Sequence, residues 1–384
     1  MNRSIYFFTR KQAHARTVLF SCTAHRTSCF SCSKKTPPPC HTLTSAQFRE
    51  PLTLTEPCYI VNSYASISAP LTINPGTTIS FGENSALSFQ SGGSINAIGT
   101  PEKPIVLRGK EHSPGYWTGL LITTNSPKNQ LSYVTVEDAG PKGGSDDGAV
   151  QVSIGARLSI DHSTIRNAAS AGINVLQRGT LSHFEANHFE NDNLPISVKA
   201  GDAAMLDAAT TFANNQHNYV LIHFSDTEVE EDSTWHALAV PYHLDGTPKI
   251  QAHLTIEPGA RLEFREGFGI NVNENGSLSA EGTTTKPIVF TGAEEAPGFW
   301  DGIYFQSKSP KNILSNVAVK YAGTKGGLAN AAVTLAPGAA ATVQSSELAF
   351  SASAALRVMQ NAKLNADAAT ANRLHDNAAG VVQE

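Results

Sequence analysis

The chain has 384 residues, long for one compact core and enough for two or three domains. Apolar residues make up 40% and charged residues only 16%, a mix that disfavours both a charged helical bundle and a disordered chain. The formal net charge of −5 argues against nucleic-acid binding through a basic surface, and no run nears the ~18 apolar residues of a membrane-spanning helix.

Residues 1–50 differ from the rest. They hold eight basic residues and one acid, Glu50, together with Cys22, Cys29, Cys32 and Cys40. The favoured reading is a leader, either disordered or an atypical export signal. Leu19-Phe20-Ser21-Cys22 has the form of a lipobox, which makes Cys22 a lipidation candidate and a lipid anchor an option. Against it, the apolar stretch is shorter than the 7–15 residues a signal needs. A zinc site is the third reading, from Cys29-x-x-Cys32 with Cys22, Cys40, His25 or His41, but one Cys-x-x-Cys pair is a weak signal. The Arg- and Ser-rich character also fits a transit peptide, without amphipathic support. From Pro70 onward there is no cysteine.

The body is an internal duplication. Leu71-Thr-Ile-Asn-Pro-Gly76 returns as Leu254-Thr-Ile-Glu-Pro-Gly259, an offset of 183. Lys103-Pro-Ile-Val106 returns as Lys286-Pro-Ile-Val289, and Ser126-Pro-Lys-Asn129 as Ser309-Pro-Lys-Asn312. About 35 of 74 aligned positions are identical between 71–144 and 254–327, which excludes chance. The expected organisation is a first block over 51–240 and a second over 241–384, wound as one solenoid.

Within each block, short alternating segments follow one another. Ile79-x-Phe81, Leu87-x-Phe89, Ile105-x-Leu107, Val134-x-Val136, Leu158-x-Ile160 and Ile173-x-Val175 are bounded by Gly, Asn, Pro or Ser. That is the strand signature, too dense for helices between. Ile165-Arg-Asn167, Phe189-Glu-Asn191 and Phe212-Ala-Asn214 recur about every 23 residues, which predicts one coil of a parallel β-solenoid per repeat. Apolar side chains then form interior columns, with coils ~4.8 Å apart. Asn167, Asn191 and Asn214 are candidates for a ladder of stacked amides, or else simply tolerate a left-handed turn. Residues 338–380 are rich in Ala and compositionally helical, yet they align with the first block and are predicted as solenoid. Stopping at Glu384 is expected to leave the last coil open.

Leu-Thr-Ile-x-Pro-Gly, Gly-Ser-[Ile/Leu]-x-Ala, Lys-Pro-Ile-Val and Pro-Gly-[Tyr/Phe]-Trp-x-Gly occur in order twice. In this the chain resembles the bacterial right-handed parallel β-helix repeat proteins, of cell-surface or lipoprotein type. The resemblance covers about residues 57–384. It implies a right-handed β-helix, export, and a place at the envelope or outside. It implies no single activity.

Related β-helices include polysaccharide lyases and hydrolases, but fold alone does not decide activity. Such chemistry needs converging carboxylates with a cation nearby, or a Ca²⁺ held by oxygens. The best candidates are Asp138, Lys142, Asp146 and Asp147, in a loop that also contains Glu137. The second block does not retain these acids, and a solvated acidic turn is the plainer reading. No cofactor is expected, with Ca²⁺ as the lesser alternative. Tyr116-Trp117 and Phe299-Trp300 are candidates for stacking on sugars, against packing of a loop onto the solenoid. Trp235 is expected to plug the junction between blocks. The leading expectation is a non-catalytic exported β-helix presenting loops for adhesion, surface glycans or envelope proteins. A polysaccharide-active enzyme using loop 137–147 and an envelope scaffold are the alternatives.

Overall fold

The computed structural model describes residues 39–141, 143, 147–224 and 227–384. Alternation sets the architecture. In Thr78–Phe81, Ile79 and Phe81 are buried while Thr78 and Ser80 are half-buried. A strand so patterned can turn one face to an interior only if the chain keeps bending the same way. Three short strands make a coil: Pro70–Ile73, Thr78–Phe81 and Ala86–Phe89 each lie in a different sheet. Every strand ladder is parallel, each strand pairing with its equivalent in the next coil.

The predicted columns are present. Tyr59, Ile79, Leu107, Val136, Ile165, Phe189 and Phe212 stand in register through six successive pairings. Phe189 and Phe212 stack at 5.7 Å. Burying each large apolar side chain contributes about 1.5–3 kcal/mol, so these columns carry the fold. Residues 340–383 are solenoid as expected, with one four-residue helix, Ala368–Ala371. Coil length varies more than the predicted period. Bonds between neighbouring coils join residues 23 apart at Asn187–Thr210 but 34 apart at Ile95–Asn129. Stacking constrains only strands and tight corners, so the other turns are free to lengthen.

Equivalent strands of the two blocks occupy different faces of the rod. Thr78–Phe81 belongs to an eight-stranded sheet, but its counterpart Arg261–Phe264 belongs to a 13-stranded one. Ala86–Phe89 belongs to that long sheet, while its counterpart Gly269–Val272 lies in a seven-stranded one. The second block is thus turned by one face about the axis. Where the shift occurs, the 3-10 turn Ala200–Met205 stands in place of a strand and packs against Thr180–Glu185, Glu228–Val229 and Ser233–Trp235. Trp235 is buried there and packs on Tyr242 at 5.4 Å, the plug the sequence suggested.

The solenoid unit starts at Cys40, inside the segment read as leader. Strand His41–Leu43 pairs with Cys58–Val61, and a disulfide joins Cys40 to Cys58. Cys40 is therefore not a zinc ligand. Cys22, Cys29, Cys32 and His25 lie outside the described residues. The bridge closes a sequence separation of 18. Replacing both cysteines by serine should cost the first coil about 2–4 kcal/mol, read as faster amide exchange in Cys58–Val61. Unchanged exchange there would show that the bridge carries none of the coil's stability.

Candidate functional site

The corners between strands hold the polar and aromatic groups. One residue of positive φ makes each such corner: Asp138 (66°), Asn167 (57°), Asn191 (56°) and Asn214 (55°) in the first block. Tyr321 (62°), Phe350 (59°) and Asp376 (55°) take the equivalent places in the second. Their backbone N–H groups donate along the rod, Asn167 to the Glu190 carbonyl at 3.1 Å and Asn191 to that of Ala213 at 3.0 Å.

Asn167, Asn191 and Asn214 thus stand in the left-handed turn conformation. The stacked side-chain bonds run through the following residue. Ala168 N–H donates to Asp192 Oδ1 at 2.8 Å, and Asp192 N–H to Asn215 Oδ1 at 2.9 Å. At another corner Val134 N–H donates to Ser163 Oγ, Ser163 N–H to Asn187 Oδ1 and Asn187 N–H to Thr210 Oγ1, each at 3.1 Å. The second block repeats both ladders, from Val317 to Ser346 to Asn372 and from Ser351 to Asn377. These buried oxygens satisfy N–H groups that the tight corners leave unpaired.

The acidic candidates divide. His112, Glu137 and Asp138 bring one ligand atom each to within 4.8 Å of one another, the one such group among the described residues. Lys142 and Asp146 lie outside the described residues. Asp147 enters through its backbone, its carbonyl accepting from Asn174 Nδ2 at 3.3 Å. Arg166 holds Glu137 at 2.5 Å and His112 Nδ1 stands 3.2 Å from Asp138 Oδ2. Asn167 Nδ2 donates to Asp138 Oδ1 at 3.2 Å. Burial raises the Asp138 carboxyl above its ordinary range; the Asn167 bond opposes this, the Glu137 charge adds to it, and His112 opposes it. The Asp138 side chain is 0% exposed and that of Glu137 5%, so both acids are buried in bonds that tie the loop.

Trp117 and Trp300 are packing groups. Each is 0% exposed, stacked on Phe81 at 3.8 Å and on Phe264 at 4.1 Å. Their Nε1–H groups donate to the carbonyls of Glu137 and Lys320 at 2.8 and 2.7 Å. Tyr116 and Phe299 remain half-buried at the surface. The Phe299 backbone N–H donates to the Tyr321 carbonyl at 2.9 Å in the next coil. Tyr321 stacks on Phe350 at 5.1 Å, and Phe350 meets His375 edge-on at 5.7 Å. Glu347 lies beside them, with Lys320 and His375 each at 2.8 Å and Arg373 at 3.6 Å. Partial burial would raise the Glu347 carboxyl, but hydrogen bonds from Lys320 and His375 hold it below its ordinary range. Hydrogen bonds to Asp376 and Glu347 raise His375.

The pectate-lyase-like beta helix domain matches residues 47–151 and again 227–333. The chain belongs to that family. No curated protein and no solved structure matches it.

The two pectate-lyase-like segments hold one copy each of the duplicated motifs, the second beginning at residue 227, ahead of the boundary at 240 expected from the sequence. The two blocks keep the same buried tryptophans and the same ladders but different corners: Asp138, Asn167 and Asn191 in the first, Tyr321, Phe350 and Asp376 in the second. Chemically, the first corner offers hydrogen bonds and the second a half-exposed ring surface beside cations and carboxylates. Sequence reasoning had found Phe299 but missed Tyr321 and Phe350. The signal was available in the duplication, since an aromatic residue aligned with Asn167 has no place in a left-handed turn on turn chemistry alone.

Proposed function

We propose that this protein is a non-catalytic, exported β-helix that holds a glycan chain along its rod, at the envelope or outside the cell. The observation behind this reading is the stacked pair Tyr321 and Phe350, whose half-buried rings follow successive coils at one corner, with Phe299 half-buried in the coil before. Tyr321 and Phe350 stack face to face, so a sugar would meet their outward ring edges as an apolar strip, and the coil spacing of ~4.8 Å is close to the length of one pyranose. Lys320, Glu347 and Arg373 lie alongside to bond hydroxyls. Two large aromatic residues at positive φ are a local cost that packing alone does not call for. The Cys40–Cys58 bridge suits an oxidising compartment, as export requires.

Tyr321→Asn with Phe350→Asn tests the reading, because asparagine already occupies this turn at Asn167 and Asn191. On a glycan array the double variant should lose affinity about tenfold or more, with no product released by either protein. Undiminished binding by the variant would overturn the aromatic site, and release of unsaturated or reducing ends would favour an enzyme.

A further inference from the structure

Because the ladders are parallel, the strands of the 13-stranded sheet all end on one edge of the rod. Among the described residues five large apolar side chains are exposed, and three of them stand on that edge. Ile154 comes two residues after strand Gly148–Val152 and is 66% exposed. Phe224 comes two residues after Val220–Ile222 and is 72% exposed. Leu328 is 56% exposed, in the loop that follows Val317–Lys320 and begins with Tyr321. The stacked pair Tyr321 and Phe350 lies on the same edge, after Val317–Lys320 and Glu347–Ala349.

Two of these side chains are costs that the fold does not require. Ile154 has φ 58°, a conformation unfavourable for a β-branched residue, and its exposure gives it little packing in return. The duplicate carries Pro337 at that place. Phe224 leaves most of a ring in water. Departures from local consistency of this kind gather at functional sites. Three strand steps separate Ile154 from Phe224, and five separate Phe224 from Phe350. At ~4.8 Å per step the line is ~38 Å long.

We infer that this edge is the track of an extended, uncharged polysaccharide, held at one end by Tyr321 and Phe350 and followed along the rod by Phe224 and Ile154. The inference rests on the glycan-holding reading and deepens it, adding a ligand class and a contact length of about eight sugar units. The apolar residues on the line are single and ~14–24 Å apart, too sparse for the contiguous patch of a protein or membrane contact. A linear chain needs no more than this, since the C–H face of a pyranose covers one ring or one branched side chain at a time. The turns between them carry both signs, with Arg178, Asp245, Arg265 and Glu266, and Arg265 pairs with Asp245. The edge therefore presents no field of one sign to attract a charged polymer.

The test is calorimetric titration of the full chain with xylo-, manno- and cello-oligosaccharides of three and six units, and with soluble xylan, glucomannan and mixed-linkage β-glucan. In at least one series the hexasaccharide should bind about tenfold tighter than the trisaccharide. Phe224→Ser should bring the hexasaccharide down to the affinity of the trisaccharide. Ile154→Asn, which suits the positive φ, should weaken the polymer about threefold and leave the hexasaccharide unchanged. The Tyr321/Phe350 double variant should weaken every length. If that variant weakens binding while Phe224→Ser and Ile154→Asn change no length, the track is overturned and the reading of the aromatic pair stands. Equal affinity for three and six units, or no binding in any series, also overturns it. A concentration-dependent dimer that Phe224→Ser dissolves would give the edge to a second copy and overturn it too.

Discussion

Asp192→Asn should stabilise the protein, and by more as the pH rises. The folded carboxyl is pushed from its usual 3.8 up to about 8 by burial. Below 3.8 both folded and unfolded chains hold the proton, and there is no penalty. Between 3.8 and about 8 the unfolded chain releases it while the folded one keeps it, so stability falls with rising pH. Above about 8 the folded group is ionised and buried, and the loss levels off. The asparagine variant has no such dependence, and its amide can donate to the Ile165 carbonyl as Asn377 donates to Leu348. At pH 9 the variant should be more stable by about 2–5 kcal/mol, shrinking towards pH 4. Urea midpoints across that range check it, and a gap independent of pH would show that Asp192 titrates in the fold as it does in the unfolded chain.

The second large effect is on the buried tryptophans. Trp117→Ala or Trp300→Ala should each cost about 3–5 kcal/mol. Each ring lies flat on a phenylalanine, with interplanar angles of 4° and 5°, and its Nε1–H satisfies a carbonyl one coil away. Removal opens a cavity and strands that carbonyl. Trp117→Phe should cost less, since the stack survives and only the hydrogen bond goes. A loss under about 1 kcal/mol on Trp117→Ala, from equilibrium unfolding, would mean that these residues are not the packing groups described.

The sequence came close on the ladders and missed by one residue. The repeat of Asn167, Asn191 and Asn214 marks the corner, because asparagine tolerates positive φ. The bonding oxygens belong to Asp192 and Asn215, one position on. No rule of spacing distinguishes the residue that makes the turn from the one whose side chain points back into it. The acidic run at 137–147 was only partly legible for a related reason. Its charge pattern is that of a solvated loop, yet Asp138 is sealed by His112 and Asn167, which are distant in sequence.

What the sequence determined by itself is the winding: a two-residue alternation in every short segment, repeated in two matching blocks, can bury its apolar face only by coiling. Only the tertiary structure decided which corners share a side of the rod. The turn Ala200–Met205 substitutes for one strand and rotates the second block by a face, so the amide corner and the aromatic corner flank opposite edges of the 13-stranded sheet. That rotation depends on how one irregular turn packs across the axis, which no local pattern encodes.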